Sequence, residues 1–210
     1  MCSSDLDPLT SVALAMVLVG FGFKIAAVPF HLWAPDAYQA APTPSAALIA
    51  SGSKLASFFV LGKLLIVGLA TAAGSAAWRG QSNGWLPVVG AIAAASMIFG
   101  NFAAIAQTNV RRLLAYSAIA HAGYTLVGLM GAGVHAFPSI VYYVATYGAA
   151  VIGAFAVAGI VEEQSGGARL ENFAGLGRRS PVLAVSLMIF ILSLAGIPPL
   201  AGFFGKFFLF

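Results

Sequence analysis

Six long apolar stretches divide this chain, and they restrict its fold more than any other feature of the sequence. A helix needs about 20 apolar residues to cross the hydrocarbon core of a bilayer. Backbone polar groups in lipid must be paired within the segment, which stretches of this length achieve only as helices. The sequence therefore predicts an all-α, polytopic transmembrane helix bundle of about six spans. The stretches lie at roughly 11–34, 43–71, 86–106, 113–134, 138–161 and 181–210.

The composition supports a membrane protein and excludes several other classes. Hydrophobic residues make up 60% of the chain, charged residues 8%, and the mean hydropathy is +0.96, whereas soluble domains carry about 25% charged residues. The formal charge of +4 does not indicate a nucleic-acid partner, because no basic tract is present. Cys2 is the single cysteine, which excludes an internal disulfide and a CxxC site.

The two ends of the chain do not resemble native membrane-protein ends. Residues 1–10 have no basic region before an apolar run, so they are not a signal peptide, and we expect a non-native or poorly ordered head there. Residues 11–210 are expected to form the membrane domain. The tail stops inside an apolar stretch with no polar exit. We therefore expect this sequence to be a piece of a longer polytopic protein.

The distribution of arginines predicts the topology. Five of the six arginines lie in the connections after the third and fifth stretches, and Arg79 is alone on the other side. The positive-inside rule makes the arginine-rich side cytoplasmic, and the connection 35–42 falls on the same side. The five cytoplasmic arginines are Arg111, Arg112, Arg169, Arg178 and Arg179.

Two lysines lie where a membrane helix is least able to hold them. Lys24 and Lys54 are each near the middle of an apolar stretch, where a lysine costs about 2.5–3.5 kcal/mol on insertion scales. One alternative is snorkelling, but the interface is roughly 15 Å away, half the hydrocarbon thickness, and a lysine stem does not bridge that distance. Lys63 lies nearer the end of its stretch, and we expect it to reach the interface by snorkelling.

No carboxylate within the stretches can neutralise these lysines, because all six acidic residues lie in connections or at stretch ends. The lysines must then pair with acids outside this sequence or be neutral part of the time. Burial disfavours the charged form of lysine, and a buried lysine that exchanges its proton is a proton carrier. A purely structural role for the lysines is the alternative.

Prolines interrupt the first and sixth stretches close to a lysine. Pro29 follows Lys24 by about one turn, and Pro198 and Pro199 precede Lys206. Each break removes helical hydrogen bonds and kinks or ends the helix. Broken helices at membrane depth are tolerated only where protein or water lines the site. The repeated pairing of a break with a lysine predicts an ion path, with packing kinks as the alternative.

Two histidines add titratable groups to the same depth range. His31 lies seven residues after Lys24, and His121 lies inside the fourth stretch. Either one can carry protons or can simply hydrogen-bond to a neighbouring backbone. His31 could pass a proton toward the cytoplasmic side if water links Lys24 to Lys54. His135 is expected to be an ordinary loop residue.

Motifs for redox and nucleotide chemistry are missing from the sequence. It has no GxGxxG or GxxxxGK[ST] loop, no cysteine cluster, and no histidine pair at haem or zinc spacing. We therefore expect no catalytic redox centre, no metal site and no bound cofactor in this chain.

Four segments carry a resemblance to a known family: FKIAAVPFHLWAPDAYQAAPTP, ASGSK, FGNFAAIAQTNVRRLLAYSAIAHAGY and LSLAGIPPLAGFFGKF. From about Val19 onward the chain resembles the antiporter-like membrane subunits of proton-translocating NADH-quinone oxidoreductase, respiratory complex I. Among them it is most similar to subunit N, because its sister subunits usually read closer to PLHTWLPDAH where this chain has PFHLWAPDAYQ.

The resemblance implies a fourteen-helix subunit with two inverted five-helix repeats, of which this chain would cover helices seven to twelve. Helices seven and twelve are broken in this family. Lys24, Lys54 and Lys206 match the family lysines of helices seven, eight and twelve, and with His31 and His121 they would form a proton-conducting axis. The helix-five glutamate that pairs with the helix-seven lysine is missing from this sequence.

The resemblance also implies partners, cofactors and location. The chain would be a non-redox subunit of an H⁺-translocating enzyme, beside other membrane subunits in a bacterial inner membrane, while NADH, FMN, iron–sulfur clusters and quinone are bound by other subunits. One alternative is a subunit of a multisubunit Mrp-type cation/proton antiporter, which shares the fold and the lysine placement. Another is a membrane scaffold with structural lysines.

Overall fold

The computed structural model describes residues 7–77, 79–131 and 136–210, and the expectations for Cys2 and His135 lie outside these residues. Every regular segment in the described part is helical, which confirms the all-α prediction. The α-helices are α1 Pro8–Ile25, α2 Trp33–Ala40, α3 Thr43–Leu48, α4 Lys54–Lys63, α5 Trp85–Ile105, α6 Val110–Leu129, α7 Ala136–Ser165, α8 Leu176–Arg179, α9 Pro181–Ala195 and α10 Ala201–Leu209. Short 3₁₀ turns occupy Ala70–Ala72 and Leu170–Phe173.

Four helical segments in the described residues are long and apolar enough to cross a membrane. They are Pro8–Ile25, Thr43–Gly68, Trp85–Ile105 and Ala136–Ser165. Helix α6, in the fourth predicted stretch, has 20 residues, a length of about 30 Å that also matches the hydrocarbon core. The sixth predicted span is divided into the two shorter helices α9 and α10.

The first predicted span is interrupted, as expected from Pro29. Helix α1 ends at Ile25, and Ala26 adopts a left-handed conformation with φ 57°. The chain resumes as α2 at Trp33. Most of the predicted connection 35–42 belongs to this short helix. Its interior side chains, among them Tyr38, are buried against α6 and α7, and this packing stabilises a helix that the sequence pattern did not indicate.

The sixth predicted span is interrupted in the same way. Helix α9 ends at Ala195, Gly196 takes a left-handed conformation with φ 82°, and α10 begins at Ala201 after the two prolines. Proline cannot donate a backbone hydrogen bond and clashes with the preceding turn, which explains why the helix does not continue. The prediction that the first and sixth spans are broken is confirmed.

The second span is continuous but irregular. Helix α3 passes into a π-helical segment, Ile49–Ser53, which leads directly into α4 at Lys54. A second π-helical segment, Leu64–Gly68, follows α4. Single π-helical turns within α-helices occur frequently at functional sites. Here the residue that directly follows the first π-helical segment is Lys54.

Helices α5 and α6 pack at backbone contact. A Cβ atom on Gly100 would lie 2.6 Å from the backbone nitrogen of Ala120, and one on Gly123 would lie 2.8 Å from the carbonyl oxygen of Ala93. Small residues permit this approach in lipid, where no hydrophobic force drives helices together. The close pairing fixes the position of α6, the helix that carries His121.

Two large buried apolar clusters fill most of the described bundle, one on each side of Lys54, and a smaller third cluster lies where α7 meets α8. On α6, Ile119 belongs to one cluster and Ala122 to the other. On α7 the same division falls between Tyr147 and Tyr143. On the second span, the buried apolar residues before Lys54 belong to one cluster and those after it belong to the other. The polar residues described below therefore form a layer between two apolar cores.

Asn109 begins α6 by capping its first turn. Its side-chain oxygen accepts hydrogen bonds from the backbone amides of Arg111, at 2.9 Å, and Arg112, at 3.2 Å. We expect Asn109→Ala to lower the free energy of unfolding by about 1 kcal/mol, measured by thermal denaturation of the purified full-length protein. Asn109→Asp keeps the acceptor and should retain stability; equal losses for both variants would contradict the capping role.

Candidate functional site

Lys54 is the most deeply buried charged residue in the described chain. Its exposed fraction is 2%, and its Nζ donates a hydrogen bond of 2.6 Å to the carbonyl oxygen of Ala118 on α6. No ion pair to Lys54 occurs within the part of the chain that the structure describes. The buried amine is held by one backbone carbonyl, as the lack of carboxylates in the spans predicted.

His121 lies one turn along α6 from the carbonyl that accepts from Lys54. A hydrogen bond of 2.6 Å joins its Nδ1 to the hydroxyl of Tyr143 on α7, with the donor set by the histidine tautomer. The Tyr147 ring packs on the imidazole with the centroids 4.7 Å apart. Thr125 donates from its hydroxyl to the His121 carbonyl at 2.9 Å. Two tyrosines from one face of α7 therefore hold the imidazole.

Lys206 approaches the same region from the broken sixth span. It starts on α10 and reaches back, so that its Nζ donates to the carbonyl of Ala195 at 3.0 Å, at the carboxyl end of α9. The free carbonyls at a helix carboxyl end attract cations. The break in the helix therefore creates the acceptor for Lys206. The ammonium also lies 5.2 Å from the ring centroid of Tyr124.

A cleft of about 380 Å³ opens beside Lys206 and His121. Asn101 and Tyr124 line it together, joined by a hydrogen bond of 3.1 Å from the asparagine amide to the tyrosine hydroxyl. Ser117 adds another hydroxyl to the wall. The cleft therefore presents polar groups from α5, α6 and α10 next to both titratable side chains.

The structure thus brings three of the five predicted proton-carrying residues together. Lys54 donates to the carbonyl of Ala118, one turn along α6 from His121, and His121 and Lys206 share the lining of the cleft. His121 lies on α6, Lys54 donates to a carbonyl of α6, and Lys206 lies on α10, which packs against α6. Helix α6 therefore contacts or carries all three residues. We call Lys54, His121 and Lys206 the polar layer.

Lys24 and His31 are not part of this group in the described chain. Lys24 is exposed on the last turn of α1. His31 is buried beside the ring of Phe99, with centroids 4.6 Å apart, and neither ring nitrogen has a hydrogen-bond partner among the described residues. The sequence predicted a deeply buried Lys24, whereas the structure leaves its side chain exposed. The reason is that nothing in the described chain covers that face of α1.

Sequence reasoning missed the environment of Arg111, which it placed only among the arginines of the cytoplasmic side. The side chain is buried, and its Nη1 pairs with Glu162 of α7 at 3.0 Å. Its Nε donates to the carbonyl of Tyr38 at 3.1 Å, and its Nη2 donates to the carbonyl of Ala41. Arg111 therefore caps the carboxyl end of α2 and ties it to α6 and α7.

The arginine-rich connections meet at one end of the bundle. Arg112 pairs with Asp36 of α2. The amide of Val110 donates to the carbonyl of Ala168 at 2.8 Å, and that of Leu170 donates to the carbonyl of Thr108 at 2.9 Å. The connections before α6 and after α7 therefore touch each other and the segment 35–42.

Several tyrosines of the site were also missed. Tyr143 and Tyr147 are separated by four residues on α7, so they lie on one helix face, inside a run rich in Ala and Gly. Two tyrosines one turn apart in a run of small residues were the sequence signal that could have identified them as site residues. Their contact with His121 depends on the packing of α6 against α7, which the sequence pattern does not reveal.

These features define a polytopic membrane bundle with two broken helices and an internal group of lysine and histidine side chains. The family described as NADH:quinone oxidoreductase/Mrp antiporter, TM, matches residues 4–210. The chain belongs to this family, which confirms the resemblance noted from its motifs.

Similar proteins agree with this assignment. The chain is 56% identical over 210 residues to NADH-quinone oxidoreductase subunit N 2 of Acidobacterium capsulatum and covers 42% of that protein's length. It is 46% identical over 204 residues to NADH-quinone oxidoreductase subunit N of Heliobacterium modesticaldum, again covering 42% of its length. The chain itself is covered to 100% and 97%. It therefore spans less than half the length of these curated relatives.

Solved structures show the same fold. A chain of respiratory complex I from Thermus thermophilus, solved with bound aureothin, superposes with a TM-score of 0.74 and 35% identity, over 99% of this chain and 43% of that one. A chain of the Mrp complex from a Dietzia species superposes with a TM-score of 0.85 and 27% identity, over 97% of this chain and 36% of that one. The fold is thus shared by complex I and Mrp membrane subunits.

Proposed function

We propose that this chain is part of a proton-translocating, antiporter-like membrane subunit of an NADH-quinone oxidoreductase. The observation that carries the proposal is the polar layer, in which Lys54 is 2% exposed and held by one carbonyl beside His121 and Lys206. Ionisable residues inside a membrane bundle are costly and mark ion paths. The high identity to subunit N relatives supports this assignment over other members of the family.

The geometry suggests how the chain moves protons. Lys54 binds a proton in a site where one carbonyl of α6 orients its amine. His121 can receive the proton and release it through its second ring nitrogen, since Nδ1 is engaged with Tyr143. Lys206 lies at the cleft, where its ammonium is stabilised by the carboxyl end of α9. Lys24 and His31 are proposed to extend this path once the rest of the subunit covers α1.

The remaining assignments follow from the same proposal. The chain corresponds to helices seven to twelve, with residues 11–210 as its membrane domain. It binds no cofactor, while NADH, FMN, iron–sulfur clusters and quinone belong to other subunits of the complex. Its neighbours are the other membrane subunits and the lipid of a bacterial inner membrane. The segment 35–42 and the connections around Arg111 and Arg178 are cytoplasmic, by the positive-inside rule.

A second candidate function is a subunit of a multisubunit Mrp-type cation/proton antiporter. The TM-score of 0.85 against the Mrp chain from Dietzia favours it as a fold, although the identity of 27% is well below that to subunit N relatives. The two candidates differ in their energy source. Proton movement driven by NADH supports the first, and cation-gradient-driven proton movement without NADH supports the second.

Lys54→Met tests the proposed function. In inside-out vesicles carrying the full-length variant subunit, we expect NADH-driven proton uptake to fall by about 10²-fold or more, because the variant cannot hold a proton at this position. Quinone reduction should slow with it if the two processes are coupled. Both rates are measured in the same vesicles, with assembly of the complex checked by native gel electrophoresis.

Lys63→Met is the matched control. Lys63 lies on the same helix, is exposed, and places its Nζ 5.1 Å from the ring centroid of Phe59, outside the polar layer. Its loss should leave proton uptake per NADH unchanged. Normal proton uptake in an assembled Lys54→Met complex would overturn the proposed function of the polar layer and favour a structural role for its lysines.

A further inference from the structure

The break in the first span is fastened to another helix by a single serine side chain. The backbone amide of Val28, between α1 and α2, donates a hydrogen bond of 2.9 Å to the hydroxyl oxygen of Ser96 on α5. The break in the sixth span is held differently, because the amide of Gly202 donates at 3.2 Å to Ser193, a residue of the same span. The bond from Val28 to Ser96 therefore joins two separate helices, and we call it the Ser96 anchor.

Ser96 is fitted to accept this bond. The residue is completely buried, and its hydroxyl donates to the carbonyl of Ile92 on its own helix at 2.7 Å. A hydroxyl has one proton to donate and lone pairs that accept. Because the proton is engaged within α5, the oxygen is left as an acceptor for Val28. A break in a membrane helix frees backbone amides that lipid cannot pair, and Ser96 pairs this one.

The surroundings of the anchor offer no replacement for the hydroxyl. A cavity of about 10 Å³ lies beside it, with Ala27 and Ile92 in its lining. The described residues that line this cavity contribute no polar side chain. Apolar cavities stay dry, so a water molecule is not expected to take over the bond. Loss of the Ser96 hydroxyl should therefore leave the Val28 amide unpaired.

The same face of α5 contacts the break a second time. Phe99 follows Ser96 by three residues, which places both on one helix face, and its ring centroid lies 4.6 Å from that of His31. Gly100, one residue further, gives α5 its backbone contact with α6. Helix α5 therefore connects the break at Val28 and His31 to the helix that carries the centre of the polar layer.

We propose that Ser96 is a positioning residue for the first broken span, and that its hydroxyl fixes Lys24 and His31 relative to α5 by holding the Val28 amide. Lys24 lies four residues before Val28, in the last turn of α1, and His31 lies three residues after it. Without the anchor, the segment between α1 and α2 can shift against α5 and displace both side chains. The effect on proton transfer rests on the function proposed above, whereas the anchor itself does not.

Hydrogen exchange of the assembled complex tests the anchor without any measurement of transport. In Ser96→Ala we expect the Val28 amide to exchange about tenfold faster, in line with the loss of one buried hydrogen bond. Ser96→Cys is close to serine in size, but sulfur is a weak acceptor, so exchange should again be faster than in the unmodified protein. This second variant keeps the test available if Ser96→Ala does not accumulate.

Ser57→Ala is the matched control. Ser57 is also buried, at 7% exposure, and its hydroxyl donates to the carbonyl of Ser53 in its own span at 2.7 Å. Its loss should leave exchange at Val28 unchanged. The anchor is wrong if Val28 exchanges equally fast in Ser96→Ala and Ser57→Ala, or if faster exchange is spread evenly over all the membrane helices. Unchanged exchange in Ser96→Cys would also overturn it, because side-chain volume would then be sufficient.

The functional arm measures NADH-driven proton uptake per assembled complex in inside-out vesicles. A displacement of about 1 Å at a reacting group can reduce a rate by up to about 10²-fold, and we expect a loss of about tenfold in Ser96→Ala. Ser96→Cys should fall between Ser96→Ala and the unmodified protein, because its sulfur accepts weakly. Ser57→Ala should match the unmodified protein. A role in packing alone would leave Ser96→Cys at the full rate.

The outcomes separate this proposal from the proposed function. If Lys54→Met abolishes proton uptake and Ser96→Ala keeps the rate of the unmodified protein, the positioning role of Ser96 is wrong and the proposed function stands. If Lys54→Met leaves proton uptake intact, the proposed function fails and the positioning role in proton transfer fails with it. Hydrogen exchange at Val28 then still decides whether Ser96 anchors the break.

Discussion

Arg111→Met is expected to prevent accumulation of the folded subunit. The substitution leaves the Glu162 carboxylate and two carbonyls at the end of α2 without their donor. Removing one partner of a buried ion pair costs about 3–5 kcal/mol, and the partial exposure of Glu162 places the loss at the lower end of that range. Such a loss is a large part of the stability of a folded protein, about 5–15 kcal/mol.

The measurement is the amount and thermal stability of the full-length subunit in membranes. We expect a Tm reduced by several degrees and little assembled complex. Helix α2 has eight residues, too few to be stable alone, so it depends on the contacts that Arg111 provides. We therefore expect proteolysis to begin in the segment between α1 and α3.

Arg112→Met is the matched control. Arg112 is the next residue in the chain, carries the same side chain, and also pairs with a carboxylate of α2, that of Asp36. The side chains of this pair are 30% and 76% exposed, and an exposed ion pair contributes about 0–1 kcal/mol. The two variants should therefore differ clearly. Equal stability would show that the buried position of Arg111 does not stabilise α2.

Gly202→Ala is expected to slow proton translocation while the protein still assembles. Gly202 lies in the first turn of α10, and a Cβ atom there would overlap the carbonyl oxygen of Ser193 and lie 2.7 Å from its carbon. These are backbone atoms, so the helix must move to relieve the overlap. Lys206 follows Gly202 by four residues on the same face of α10. The shift therefore displaces Lys206 from the carbonyl of Ala195.

Displacements of about 1 Å at a reacting group can reduce a rate by about 10²-fold, and we expect a loss of that order in NADH-driven proton uptake. Overpacking of this kind costs about 1–3 kcal/mol, which a folded subunit can survive. The rate is measured in inside-out vesicles after the assembled complex has been quantified. Proton uptake equal to that of the unmodified protein would show that α10 does not hold Lys206 in a required position.

Gly20→Ala is the control for this change. Gly20 lies within α1, and a Cβ atom there would meet no atom within 4 Å. Alanine favours helix over glycine by about 1 kcal/mol, so this variant should assemble normally and pump at the usual rate. The comparison isolates the backbone overlap at Gly202 from the general effect of replacing a glycine.

Features that depend on neighbouring residues in the chain were predicted well. The apolar stretches predicted the helices, because a segment without polar side chains in lipid must pair its own backbone. Pro29 and the pair Pro198–Pro199 predicted the two breaks, because proline acts on the turn that contains it. The segment 35–42 was predicted less well, since its helix depends on burial of Tyr38 and on the donors of Arg111.

The amino-acid sequence by itself determined the membrane class, the positions of the broken helices and the identity of the ionisable residues within them. Only the tertiary structure decided which of those residues meet. Lys54 and its acceptor Ala118 are 64 residues apart, and Arg111 and Tyr38 are 73 apart. Burial and hydrogen bonding are supplied by such distant partners. For this reason Lys54 is enclosed while Lys24 is exposed, and Arg111 is buried while Arg112 remains at the surface.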